Sequence, residues 1–205
     1  MQANWINSTI NWYEKPDAEK VLRKLEYAAR TCYRSFDKIN EGSAEKLLSG
    51  AIKRGHESIL EHEQFTFEVV CTRDVLAQWT RHRIASYSVE SQRYCNYTKD
   101  KFDGFKFIMP EGVDEDMAAE ITEAIVEDVN HYANLIAMGA KPEQARAILP
   151  NCTKVQFVWS ANIREIRHFI ALRTSPGAQP DIAKLANQLK NMLEEEGLGV
   201  LVESI

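Results

Sequence analysis

The sequence predicts an α+β fold: an antiparallel sheet of about four strands surrounded by helices. Two kinds of pattern carry that prediction. Apolar residues at every second position mark half-buried strands, with Phe65, Phe67, Val69 and Cys71 on one face of 64–71 and Thr66 and Glu68 on the other. Val155, Phe157 and Trp159 repeat the pattern. Elsewhere the apolar residues recur at helical spacing, most clearly Val21, Leu22, Leu25, Ala28, Ala29 and Cys32.

In chain order, Trp5, Ile6, Ile10, Trp12 and Tyr13 suggest one or two edge strands, and Pro16-Asp17 opens the first helix. Ser43 is the candidate N-cap of a second helix carrying Leu47, Leu48, Ala51 and Ile52, which Gly55 stops. His56 and His62 follow with acids between them, a spacing that fits no common ligand pattern, so no metal is expected. After the 64–71 strand, a helix is expected over 74–83. Val75, Leu76 and Trp79 form its apolar face, Gln78, Arg81 and His82 share another, and Arg81 and Arg83 fall in the last turn. The Ser-rich segment beyond reads as a loop. A short strand over 105–109 ends at Pro110, and a long helix runs from Asp114 to Gly139. Pro142 opens a short helix holding Arg146, which Pro150 closes. The helix from Asn162 to Arg173 buries Ile163, Ile166 and Ile170 and shows Arg164 and His168 on its polar face; a last helix, with Ile182, Leu185, Leu189 and Met192 inward, stops at Gly197.

At 205 residues the chain can bury one sizeable core, and residues 1–205 are expected to form a single domain. A net charge of -5 argues against a general nucleic-acid binder, which needs an extended basic face. Cys32, Cys71, Cys95 and Cys152 show no CxxC pair or zinc spacing and read as reduced thiols of a cytoplasmic protein. With no signal peptide or long apolar run, no membrane association is expected.

The functional signal lies in residues 81–94, which hold three arginines, a histidine, several hydroxyls and one acid, Glu90. Fixed positive charge clustered on an acidic chain points to a bound anion, because guanidinium forks match phosphate and carboxylate oxygens. Arg81-His82-Arg83 alone is equally compatible with a solvated helix end; Gln78, Ser86, Ser91 and Arg93 at fixed offsets favour a ligand. No GxGxxG follows a strand, so a dinucleotide would not be held Rossmann-fashion.

This string resembles the signature of the flavin-dependent thymidylate synthases, Arg-His-Arg followed by Ser-x-Arg, here Arg81-His82-Arg83 and Ser91-Gln92-Arg93. The resemblance covers most of residues 17–182, through His56-x-Ser58, the string around Arg146, Asn162-x-Arg164 with His168, Leu172-Arg173 and Ala178-Gln179. It implies transfer of a one-carbon unit from methylenetetrahydrofolate to C5 of dUMP, with FAD, reduced by NADPH, as hydride source. It also implies a homotetramer with shared active sites. By position, dUMP falls to Gln78, Arg81, Glu90, Ser91, Gln92, Arg93, Arg146 and Arg173. FAD falls to Ser58, Arg81, His82, Arg83, Glu90, Asn162, Arg164 and His168, and a folate/pyrimidine pocket to His56 and Tyr94. Arg173 is the expected catalytic residue, a cation beside the uracil: negative charge at N3 or O2 makes C5 more nucleophilic.

Ser88-Val89 stand where many members carry Asn-Glu, and Glu90 is one position along, a shift that re-aims a side chain. Asp181 replaces the usual Glu, and the tail beyond residue 195 matches nothing. Two other readings stay open: a nucleotide- or RNA-binding module stacking bases on Tyr87, Tyr94 and Tyr97, and a catalytically inactive relative.

Overall fold

A computed structural model describes residues 3–205. Its elements run β1 (Asn4–Trp5), β2 (Thr9–Trp12), α1 (Ala18–Thr31), α2 (Ser43–Lys53), β3 (Gln64–Thr72), α3 (Arg73–Trp79), β4 (Ala85–Val89), β5 (Lys106–Phe107), α4 (Glu115–Ala137), α5 (Pro142–Ala145), β6 (Lys154–Asn162), α6 (Ile163–Arg173) and α7 (Pro180–Glu195). Four strands form one antiparallel sheet in the order β2-β3-β6-β4, flanked by helices. β1 and β5 pair separately and in parallel, Asn4 opposite Lys106 and Trp5 opposite Phe107.

Local chemistry accounts for most boundaries. The side chains of Asp17, Asp114 and Asn162 accept backbone N–H groups from Lys20, Met117 and Glu165, capping α1, α4 and α6. Ser43 is the first residue of α2 rather than its cap. Left-handed Gly42 (φ +71°) holds the cap position, and the Ser43 hydroxyl donates to Glu26 at 2.6 Å.

Three expectations are corrected. The helix expected over 74–83 ends at Trp79, where the Thr80 hydroxyl bonds the Ala77 carbonyl and the Arg81 N–H turns back to Gln78, so Arg81 and Arg83 lie beyond the helix. The expected Ser-rich loop is instead β4: Ala85, Tyr87 and Val89 are half-buried and alternate with exposed Ser86 and Ser88. Cys32, the C-cap of α1, is exposed and does not extend the buried stripe of that helix.

Chain contacts divide the molecule into two compact units. The first comprises residues up to Thr9, Val69–Arg81 and Ser88–Phe157; the second comprises Ile10–Glu68, His82–Tyr87 and Val158–Ile205. The first packs Tyr97, Phe105, Phe107, Ile125, Val129 and Tyr132 into one core. In the second, a row of rings runs Trp12–Phe67–Trp159–Phe169, with centroids 4.7, 5.6 and 5.3 Å apart. Among the described residues no helix is long and apolar enough to cross a membrane.

Candidate active site

In the first unit, Ser91 builds a turn. Its carbonyl accepts from Tyr94 and Cys95, and its hydroxyl accepts the Arg93 N–H at 3.3 Å. The turn presents Arg93 and Tyr94 outward, with the guanidinium 5.4 Å from the Tyr94 ring centroid. Arg93 also meets Glu143 at 3.2 Å, one helical turn before Arg146, which brings the Ser91 turn against α5. Both partners are substantially exposed, so this pair contributes no more than ~1 kcal/mol. The exposed guanidiniums of Arg81 and Arg146 form no ion pair among the described residues. Gln78 and Gln92 are half-buried.

Glu90 turns inward. Its carboxylate accepts from Lys154 at 2.6 Å, from the Tyr97 hydroxyl at 3.0 Å and from the Gln156 N–H at 3.2 Å, while Arg73 donates to its carbonyl. Burial first, then the Glu90 charge, pushes the Tyr97 phenol well above its ordinary value of 10.0. Of the three tyrosines offered as stacking surfaces, only Tyr94, 75% exposed, presents its ring. Tyr97 is buried, and Tyr87 donates to the His82 carbonyl at 2.7 Å, which removes the platforms an RNA-stacking surface would need.

In the second unit, α6 and the 3-10 turn Glu57–His62 are tied by ion pairs. Arg164 meets Glu61 at 2.6 Å, and Arg167 meets Glu57 at 3.3 Å. Exposed Ser58 lies between the two acids, and exposed His56 precedes the turn. Asn162 uses its oxygen as the α6 cap, and His168, one turn beyond Arg164, is exposed.

His82 is only 3% exposed. Its Nε2 accepts the Arg173 Nε–H at 3.1 Å, and its ring lies 4.9 Å from Phe169 and 5.4 Å from His168. Burial first, then the Arg173 and His168 charges, brings its pKa down from 6.5 to about 4. Its Nδ1 stands 3.5 Å from Glu165 Oε1, too long for a hydrogen bond, and because the ring is neutral this contact is not an ion pair.

A flavin dinucleotide requires cations for its phosphates and polar donors at its ring edge. Arg83, exposed and without an ion-pair partner among the described residues, fits the first need; Ser58, Asn162, Arg164 and His168 fit the second. Sequence patterns did not single out Glu165 or Arg167. Arg167 is buried inside α6, bonding the carbonyls of Leu201 and Glu203 as well as Glu57, so the unmatched tail is a packed part of this unit.

The family model described as "thymidylate synthase complementing protein" matches residues 15–196. Flavin-dependent thymidylate synthase of Pyrococcus furiosus is 32% identical over 204 residues, covering 95% of this chain and 81% of that protein. The Geobacter sulfurreducens enzyme is 33% identical over 188 residues, covering 87% and 78%. Among solved structures, a UMP/dUMP methylase PolB from Streptomyces cacaoi bound with 5-Br dUMP superposes with a TM-score of 0.83 at 23% identity, covering 98% of this chain and 95% of that one, a likeness of fold. With these relatives, the α+β chain is an enzyme of the methyltransferase class. The chain belongs to the flavin-dependent thymidylate synthase family.

Proposed function

We propose that this protein carries out the reductive methylation of dUMP to dTMP, with methylenetetrahydrofolate as one-carbon donor and FAD, reduced by NADPH, as redox cofactor. The observation that carries the reading is a set of three exposed guanidiniums on an acidic chain, Arg81, Arg93 and Arg146, of which only Arg93 has an ion-pair partner among the described residues. They suit a nucleotide phosphate. Gln78, Ser91 and Gln92 add neutral hydrogen bonds to the nucleotide. Arg173 stabilises negative charge on the uracil as C5 attacks the one-carbon unit, and the C5 proton then leaves. His56 and Tyr94 bound the folate and pyrimidine pocket. Ser58, Arg83, Asn162, Arg164 and His168 hold FAD, which in reduced form supplies the hydride. Residues 1–205 act as one domain within a cytoplasmic homotetramer whose subunits share active sites.

The test is a fluorescence titration of the folded protein with FAD and then dUMP, followed by an assay for dTMP. FAD is expected to bind stoichiometrically, dUMP to change the flavin signal, and dTMP to form only with FAD, NADPH and methylenetetrahydrofolate together. Folded protein that ignores saturating FAD would overturn the reading.

A further inference from the structure

One face of α6 carries Glu165, His168, Phe169 and Arg173, and the His82 ring is laid along it. Those four residues fall at successive turns of one helix, and His82 contacts all of them. The ring is held from both ends. Phe169 meets it edge-on at 4.9 Å, continuing the Trp12–Phe67–Trp159–Phe169 row, and the Tyr87 hydroxyl fastens its backbone carbonyl at 2.7 Å.

We propose that His82, backed by Glu165, is the positioning residue that sets the direction of the Arg173 guanidinium. A guanidinium has no acceptor, so the Arg173 Nε–H must meet a lone pair on His82 Nε2. A neutral imidazole with a lone pair on Nε2 carries its proton on Nδ1. That proton is buried, without a hydrogen-bond partner among the described residues, and faces the Glu165 carboxylate at 3.5 Å. The carboxylate favours a proton on Nδ1 over one on Nε2, and so keeps the acceptor turned toward Arg173. Because Nε lies in the guanidinium plane, anchoring it fixes that plane. Arg173 is the last residue of α6, and its Nε–H is the group that His82 receives. His82 therefore acts through Arg173, in place of the flavin contact that its position in the Arg-His-Arg string suggests.

The consequence for turnover rests on the function proposed above; the contact itself does not. The first measurement is a 15N spectrum of histidine-labelled protein without ligands, with the His82 signals assigned by their loss in His82→Gln. His82 is expected to be neutral at pH 7 with its proton on Nδ1, and its Nε2 signal is expected to move in Arg173→Ala. A proton on Nε2, or signals indifferent to Arg173→Ala, would overturn the proposal. The second measurement compares His82→Leu with His82→Gln, whose amide oxygen can accept the same Nε–H. His82→Leu is expected to lower kcat about 10- to 100-fold, the range for losing a hydrogen bond to a charged group. KM for dUMP and the affinity for FAD should change much less, and His82→Gln should recover much of the loss. A loss carried by FAD affinity, or Leu and Gln variants equally impaired at equal thermal stability, would refute positioning. If His82→Leu does not fold, His82→Gln and the tautomer decide. Unsubstituted protein that binds FAD and dUMP yet forms no dTMP would count against the proposed function, while the spectrum still decides the contact.

Discussion

Lys154 reaches Glu90 at 2.6 Å across 64 residues of chain, and both side chains are largely buried. The Tyr97 hydroxyl and the Gln156 N–H complete the acid's coordination. Removing the carboxylate leaves an ammonium and a phenol without their partner. Glu90→Leu is expected to destabilise the fold by roughly 3 kcal/mol, and Tyr97→Phe by about 1 kcal/mol, read from urea unfolding. Equal stability of Glu90→Leu and the parent protein would show that the network is not structural.

If Arg173 stabilises charge that develops on the uracil, Arg173→Ala should lower kcat about 100-fold or more, as removal of an oxyanion-stabilising donor does. FAD affinity, measured in the same titration, should change by less than about threefold, since the interaction is made in the transition state. Equal losses in both would reduce Arg173 to a binding residue.

A route through a cysteine nucleophile requires a thiolate. Burial pushes the Cys71 thiol up to about 12 and Cys152 up to about 11, which makes both poor candidates. Cys95 is half-buried beside the Ser91 turn, its N–H bonded to the Ser91 carbonyl. The Ser91 hydroxyl accepts the Arg93 N–H, and no general base bonds it among the described residues. Cys95→Ala should therefore keep most activity and Ser91→Ala a measurable remnant, both dependent on reduced flavin. Loss of all dTMP in Cys95→Ala with FAD and dUMP still bound would restore the thiolate route.

His82 also predicts an acid limb of stability. The unfolded chain takes up this proton near pH 6.5, whereas the folded protein resists it until about pH 4. Between those values the unfolded state binds more protons, so stability is present above pH 6.5 and is lost as pH falls toward 4. Relative to His82→Gln, the parent protein should lose roughly 2–3 kcal/mol between pH 7.5 and 4.5. Urea midpoints at the two pH values measure this, and parallel losses in both proteins would exclude His82 as the source.

What the sequence made legible was short-range. Alternation located β3 and β6 because each buries every second side chain. The acids at 17 and 114 and Asn162 cap helices from within three residues. Short strings named the candidates, of which the phosphate-binding ones, Arg81, Arg93 and Arg146, lie in one unit and most flavin ones in the other. What escaped depends on distant partners. Arg167 looks like any helical arginine until the Leu201 carbonyl, 34 residues on, meets it. The inward turn of Glu90 needs Lys154, and the acceptor role of His82 needs Arg173, 91 residues away. α3 is shorter than its pattern because Arg81 and His82 match a helical face beyond the point where Thr80 ends the helix.

The ion pairs that link α6 to the Glu57–His62 turn at two acids have a consequence for cofactor loading. One link would act as a pivot. Two, at Glu57 and Glu61, remove the remaining rotation, so the short segment between them moves with the helix as a single lever arm. The segment that carries Ser58 is thus held in place before any ligand arrives, and a cofactor bound there need not bring the ordering entropy of that segment with it. Removing the acids one at a time should leave occupancy at saturation unchanged while steadily quickening escape, so the lifetime of the loaded state becomes a dial set by Glu57 and Glu61.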